Sequence, residues 1–462
     1  MEEIGIDKKI GNIHQEMEDL YLKDDRPWII GFSGGKDSSC VTQMVYDMLM
    51  NLPKNKRKKT VHIISVNTLV ESPLIEKRIK KVLNDIEKSA IEDKLPIKVN
   101  LLRPKLNDTF WVNLIGRGYP SPNKWFRWCT DRMKIRPTNR YIHEQVEKNG
   151  EVIILLGARK SESASRSQTM RKYEIEDFQL RKHGDIKGAF VYTPIEDFNT
   201  KDVWAYLLQV PPPWGGSNKD LITFYRKADS ECPLVIDKDT PACGGSRFGC
   251  WTCTVVKRDR ALEGLIEDGE TWLEPLLELR NWLSEIRNDP TKRETIRKSE
   301  RKKKIIAGKL GKEYEEEIHR GHKVLGPFTF ETRHEILKRL YNMQKQISKN
   351  HDIELISPEE LQAIEKILIY EGDNIASLAE IIDSSIVFAD SLGKSPLEKN
   401  GIDKKVFEKI ILKHEIPVSL VEKLLIAEDD LSSMSRRIGI YNRLEKVIEE
   451  HLIIETLGEN SK

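Results

Sequence analysis

Long apolar runs are missing from this chain of 462 residues. No stretch approaches the roughly 18 residues needed to cross a bilayer, so no membrane span is expected. The acidic opening Met1-Glu2-Glu3 lacks the basic and then apolar pattern of a secretory signal, and a cytoplasmic setting is the expectation. A net charge is nearly missing too: 76 Lys plus Arg against 74 Asp plus Glu leave a formal +2. Attraction for a polyanion must therefore come from local patches. There is no internal repeat and no low-complexity tract, and the length suits two or three domains. Cysteine is scarce, six in all. In a reducing compartment such thiols read as ligands or nucleophiles rather than disulfides.

What is present begins with Ile29-Ile30-Gly31-Phe32-Ser33-Gly34-Gly35-Lys36-Asp37-Ser38-Ser39, an apolar strand that runs into a polar turn and then a helix. Adjacent glycines permit positive φ and close approach, so successive N–H groups can converge on phosphate oxygens. The helix that follows, with Val41, Met44, Val45, Met48 and Leu49 on one face, turns its positive end to the same anion. Ser33, Ser38 and Ser39 add hydroxyls. The Walker pattern GxxxxGK(S/T) is absent, since Ile30 stands where it needs Gly and Asp37 follows Lys36.

Residues 27–32, 61–67, 97–102, 151–157 and 188–193 read as strands separated by helical stretches, which predicts an α/β fold with a parallel sheet. Ligands of such sheets gather beyond the carboxyl ends of the strands, where the loop 33–38 lies. A second polar segment, Gly157-Ala158-Arg159-Lys160-Ser161-Glu162-Ser163-Ala164-Ser165-Arg166, follows the fourth strand and should reach the same edge. Arg159 and Arg166 suit anionic oxygens, and Glu162 is expected to hold an arginine in place. In the next helix Thr200 is expected as the cap, with Val203, Trp204 and Leu207 as core. Ser357-Pro358-Glu359-Glu360 has the form of a helix start. The run from Lys292 to Lys304 fits either a polyanion contact or a solvated helix face.

Four cysteines, Cys232, Cys243, Cys250 and Cys253, form a constellation interspersed with Gly244, Gly245 and Gly249. Four thiolates suit zinc or a 4Fe–4S cluster; the single CxxC pair favours the cluster, because a four-cysteine zinc site usually has two. Cys129 stands apart in Trp125-Phe126-Arg127-Trp128-Cys129-Thr130-Asp131-Arg132-Met133-Lys134-Ile135-Arg136-Pro137. The basic side chains around it are expected to lower its pKa and favour the nucleophilic thiolate. The alternative is that Cys129 replaces one of the four metal ligands. Cys40 is expected in the core.

The Ser-Gly-Gly-x-Asp-Ser loop resembles the PP-loop of the ATP pyrophosphatase superfamily. Gly157, Arg159, Glu162 and Ser163, together with Thr193-Pro194-Ile195-Glu196-Asp197-Phe198-Asn199-Thr200-Lys201-Asp202-Val203-Trp204, resemble its sulfonucleotide (PAPS) reductase branch, although Phe198 stands where that branch often has Trp. Cys129, Lys134 and Pro137 are similar to its Cys-xxxx-Lys-xx-Pro stretch. That branch carries a nucleophilic Cys near its C-terminus, whereas here none follows Cys253. The assembled pattern resembles the DndC family, ATP pyrophosphatases and sulfurtransferases of bacterial DNA phosphorothioation, with the SspD proteins as close relatives.

The resemblance implies an adenine nucleotide α-hydrolase-like domain over residues 1–230, a Cys-rich Fe–S loop at 231–258, a basic helical extension at 259–350 and a C-terminal helical module at 351–462. It implies ATP in the loop Ser33 to Ser39, Mg²⁺ on the polyphosphate, and nucleotide contacts from Asn67, Gly157 and Arg159. Lys36, Asp37, Arg159 and Arg166 would serve the chemistry, and Cys129 would carry sulfur as a persulfide. DNA, a cysteine desulfurase and other phosphorothioation proteins are the implied partners. A PAPS or APS reductase, a tRNA-thiolating enzyme and a non-catalytic nucleic-acid-binding subunit are the competing expectations.

Overall fold

The computed structural model describes residues 6–162, 174–175, 178–227, 249–295 and 325–371, with isolated positions between 373 and 448. The first compact unit takes in residues 1–110 and 122–282, the second 111–121 and 283–462. In the first, helix α1 (Ile6–Lys23) leads to strand β1 (Trp28–Gly31) and helix α2 (Lys36–Asn51). Strand β2 (Val61–Val66), helix α3 (Pro73–Glu92) and strand β3 (Ile97–Leu102) follow. Helix α4 (Arg136–Asn149) and strand β4 (Val152–Leu155) come next. After the short strands β5 (Glu174–Ile175) and β6 (Phe178–Lys182), strand β7 (Ala189–Tyr192) enters the sheet.

The order is β3-β2-β1-β4-β7-β6-β5. From β3 to β7 every pairing is parallel, with Trp28 beside Val61 and Ile153, and Val152 beside Ala189. The five parallel strands fall where the apolar runs predict them. The antiparallel β6 and β5 at the edge do not follow from those runs: Phe178-Gln179-Leu180-Arg181-Lys182 is too polar to read as a buried strand.

Alternation within each strand divides the core between the two faces. Trp28, Ile30, Ile63, Ile153 and Leu155 join α1, α2 and α3 on one face, and Cys40 is fully buried there. Ile29, Ile64, Val152 and Ile154 meet Ile142 of α4 on the other. Helices α5 (Thr200–Gln209) and α6 (Lys219–Lys227) add Val203, Trp204, Leu207 and Tyr225 to the first face, as expected for the three α5 residues. The cap of α5 is Asn199, not Thr200: Asn199 and Asp202 exchange side-chain to backbone hydrogen bonds, so Thr200 is the first helical residue. Chain order reverses between β1 and β4, and loops leaving both strands emerge at this switch point.

Helices α7 (Arg260–Glu267) and α8 (Glu274–Ile286) follow the Cys-rich segment. The second unit contains helices α9 (Phe330–Ile347) and α10 (Pro358–Tyr370), the latter opened by the Ser357–Glu360 capping box. Its core draws in the π-helical turn Val112–Gly116 from early in the chain; the Trp111 indole donates to the Leu355 carbonyl at 2.8 Å. The basic run departs from both expectations at its start. Arg293 is buried and donates to the carbonyls of Gly326, Arg287 and Leu325, and Lys292 pairs with Glu335 at 2.8 Å. Its remainder, 296–304, lies outside the described residues.

Candidate nucleotide and thiol site

The loop between β1 and α2 is shaped by its own side chains. Gly34 has φ +73°, and a Cβ there would stand 2.7 Å from Ile79 Cγ1, so only glycine fits. The Ser33 amide donates to Ser38 Oγ at 3.2 Å, and the Ser38 hydroxyl donates to the Gly35 carbonyl at 3.0 Å. Gly35 caps α2 with its backbone extended, so the first turn of that helix opens onto the loop. Two residues without a sequence signal complete the frame. Arg78 of α3 donates to the Gly34 carbonyl at 2.8 Å, and Tyr225 of α6 receives the Lys36 amide at 3.2 Å. The Lys36 ammonium is buried, 3.4 Å from Asp37 Oδ2 and above the Tyr225 ring.

The fourth strand's loop locks onto this one. A Cβ on Gly157 would lie 2.6 Å from the Asp37 carbonyl oxygen and 2.9 Å from the Ser38 amide nitrogen, so glycine lets the two backbones touch. Arg159 is buried and donates from Nε to Asp37 Oδ1 at 2.7 Å. Its Nη1 donates to the hydroxyls of Ser161 and Thr200 at 3.1 and 3.3 Å. Asp37 is thus the centre of a charge cluster, with Lys36 on one oxygen and Arg159 on the other. Ser39 is buried in the first turn of α2. Arg166 and the Glu162 side chain, and with them the expectation that Glu162 holds an arginine, lie outside the described residues; among those described, Asp37, Ser161 and Thr200 accept from Arg159.

Asn67, at the end of β2, braces its own loop. Its amide donates to Glu76 Oε1 at 2.6 Å and its Oδ1 accepts the Leu69 amide at 2.8 Å, which supports Leu69 at φ +66°. The same loop carries the thiol region. Glu71 and Cys250 form an isolated β-bridge, the Trp251 amide donates to the Val70 carbonyl at 3.0 Å, and Thr68 Oγ1 lies 3.2 Å from Cys250 Sγ. Cys253 turns back on Cys250 through an amide to carbonyl bond of 3.0 Å. Arg280 of α8, fully buried, donates to the carbonyls of Cys253, Lys257 and Val256 and so fixes the segment.

Cys129 caps the π-helical turn Thr130–Ile135, and its electrostatic neighbours are Cys253, Cys250 and Lys134. The expected lowering of its pKa is not found. Burial, then the nearby Cys253, raise it above the ordinary thiol value and outweigh the lowering by the Thr130 hydrogen bonds and Lys134, while two of the neighbouring cations are spent on carboxylates. Arg132 pairs with Asp108 at 2.7 Å, and Arg136 with Asp131 and Asp108 at 2.8 and 3.0 Å. Burial likewise pushes the Cys250 thiol up to about 12. Cys250 is in turn the main cause that raises Lys134, which lies 3.9 Å from Glu71. Cys232 and Cys243 lie outside the described residues. Among the described residues, no group of three or more His, Cys, Asp or Glu is arranged to hold a metal ion. Also among them, no helix is long and apolar enough to cross a membrane.

Residues 27–255 match the family model of the phosphoadenosine phosphosulfate reductase domain. Over 241 residues the chain is 27% identical to an uncharacterized protein of Methanocaldococcus jannaschii; the match covers 52% of this chain and spans 39% of the length of that curated relative. Among solved structures, phosphoadenylyl-sulfate (PAPS) reductase from Candida auris, in a phosphate complex, aligns with 14% identity and a TM-score of 0.26, covering 44% of this chain and 87% of that one. The U34-tRNA thiolase NcsA from Methanococcus maripaludis, with its 4Fe–4S cluster, aligns with 14% identity and a TM-score of 0.31, covering 61% and 78%.

Proposed function

With residues 27–255 forming a phosphoadenosine phosphosulfate reductase-like PP-loop domain, we propose that the protein is an ATP pyrophosphatase and sulfurtransferase of the DndC kind, acting in DNA phosphorothioation. The observation that carries the reading is the backbone cradle at Gly34, clamped by Arg159 onto Asp37 and sharing the strand-end edge with the Cys250 loop.

ATP phosphates lie against the amides of residues 34–38 and the first turn of α2. Lys36 and Arg159 shift from Asp37 toward the phosphates and offset charge as it develops. Mg²⁺ fits here as an ion held chiefly by the nucleotide's own oxygens, with Asp37 the carboxylate within reach. A nonbridging oxygen of a DNA phosphodiester attacks the α-phosphorus and expels pyrophosphate. The oxygen, a poor leaving group by itself, then departs as part of AMP.

Cys129 carries the persulfide loaded by a cysteine desulfurase. Its outer sulfur bonds to phosphorus as the bond to AMP oxygen breaks. A second thiol then attacks the Cys129 sulfur, the thiophosphate leaves, and an external thiol reductant reduces the disulfide formed. Cys250 and Cys253, with Cys232 and Cys243, offer the soft donors that a 4Fe–4S cluster requires, zinc being the less favoured occupant. Such a cluster would supply a sulfur-binding metal site. The nearness of Cys253 to Cys129 favours a second reading of Cys129, as one of the metal ligands.

The test is an anaerobic reaction of the protein with ATP, DNA and a persulfide donor. AMP, pyrophosphate and, after nuclease digestion, a phosphorothioate-linked dinucleotide by mass spectrometry are expected. Sulfite release from a sulfonucleotide, or thiolated tRNA bases instead, would assign the chain to another branch. Gly34→Ala is expected to lower AMP formation at least about tenfold, since both its φ and its space exclude a side chain.

A further inference from the structure

Immediately before Cys129 the chain puts a large aromatic surface into water. The Trp125 side chain is 95% exposed and Phe126 42%, while Lys124 and Arg127 on either side are exposed as well. A tryptophan buries more apolar area than almost any residue when it finds a partner, so full exposure on a folded surface forgoes a large stabilisation.

The exposure is built, not frayed. The Trp125 and Phe126 amides both donate to Asn123 Oδ1, at 2.8 and 2.9 Å, and the Asn123 amide donates to the Phe126 carbonyl at 3.3 Å. These bonds close a tight turn with Trp125 at its tip. Both feet of the turn are anchored. Thr254 donates to the Pro122 carbonyl at 2.6 Å, and Trp128, buried, stacks on Phe110 with ring centroids 5.3 Å apart. A rigid mount of this kind removes most of the ordering entropy that a contact at Trp125 would otherwise cost.

The surrounding charge is positive: Lys124, Arg127, Arg132, Lys134 and Arg136 against Asp131 between residues 124 and 136. Arg132, Lys134 and Arg136 already face carboxylates, whereas Lys124 and Arg127 flank the aromatic tip. An exposed ring between two cations matches a nucleic-acid strand, whose bases stack on aromatic faces while its phosphates meet the cations. Cys129 stands four residue steps along the chain from Trp125, a reach of at most about 14 Å. In a duplex that reach corresponds to about four nucleotides of axial rise.

We propose that the turn Asn123–Arg127 is a base-stacking clamp for the DNA strand under modification: Trp125, with Phe126 beside it, receives an unstacked base near the target phosphate, and Lys124 and Arg127 grip neighbouring phosphates. This deepens the proposed function and rests on it for the identity of the substrate. The clamp itself is tested by a different readout.

The full-length protein is titrated into a DNA oligonucleotide that carries 2-aminopurine in an unpaired stretch, and the fluorescence quench caused by stacking is followed. Trp125→Ala is expected to abolish most of the quench and weaken binding roughly tenfold, while Trp125→Phe retains most of both. Lys124→Gln with Arg127→Gln should weaken binding and flatten its salt dependence. Unchanged quench and affinity in Trp125→Ala, or tighter binding of the RNA of the same sequence, would overturn the clamp. AMP formation is measured separately on the wild-type protein. A wild type that stacks DNA but never forms AMP refutes the enzymatic reading and leaves the clamp standing.

Discussion

Two single atoms that the chain does without decide the geometry of the loops that leave β1 and β4. Gly34 and Gly157 lack a Cβ where one would strike Ile79 and the Asp37 backbone. Gly157→Ala should push the fourth strand's loop away from Asp37, separate Arg159 from its carboxylate, and weaken ATP binding at least about tenfold. Equilibrium nucleotide titration checks this, and unaltered affinity would refute the close approach. Gly34 is legible in the sequence because the Ser-Gly-Gly-Lys-Asp-Ser string is local. Gly157 is legible as part of a polar segment, but its contact lies 120 residues away and only packing creates it. The same scale holds a buried titration. Burial, helped by Lys98 and Lys148, holds the His62 imidazole down to about 4, beside Tyr141 at 2.7 Å. Its unfolded value is about 6.5, so between those values the unfolded chain takes up the proton first. Stability is therefore fully present above pH 6.5 or so and declines as pH falls, by about 2 kcal/mol at pH 5. In His62→Gln the fall in melting temperature between pH 7 and pH 5 should shrink accordingly.

At the scale of elements, the loop after β2 and the segment from Cys250 to Lys257 are organised by residues remote from any motif. Arg280, itself buried, donates to the backbone carbonyls of Cys253, Val256 and Lys257 and ties the segment to α8. Arg280→Met is expected to cost of order 3 kcal/mol and to raise the alkylation rate of Cys253, read by thermal unfolding and mass spectrometry. A sequence offers no sign of this role, because an arginine in a charged helix reads as solvated until its surroundings are known. Charge around Cys129 teaches the same lesson in reverse. Five neighbouring bases imply a depressed thiol, yet Asp108 and Asp131 take up Arg132 and Arg136, and burial then prevails. Helix starts, by contrast, are written in a few consecutive residues. Ser357 and Glu360 form the expected box, while the shift from Thr200 to Asn199 reflects two adjacent residues that are both competent caps.

For the molecule as a whole, the contact units do not follow chain order. Residues 111–121 belong with 283–462, and Trp111, Val112, Leu114 and Ile115 are fully buried in that unit. A chain cut after residue 282 should leave these four side chains without α9 and α10. Binding of a hydrophobic dye, a lowered melting temperature and aggregation are expected. A monodisperse fragment with the full chain's melting temperature would show that the turn at 112–116 is packed by other means.

The sequence by itself determined the five parallel strands, the glycine turn after β1, the capping box at Ser357 and the inventory of thiols, because each depends on residues close together along the chain: apolar runs, adjacent glycines, a serine three places before a glutamate. Tertiary structure alone decided which groups meet. Arg159 finds Asp37, Gly157 lies on the Asp37 backbone, Cys129 comes beside Cys253, and Trp125 is left outside. Burial and pairing set the charge state of a thiol and the free surface of a ring, and both depend on neighbours that only the folded chain assembles.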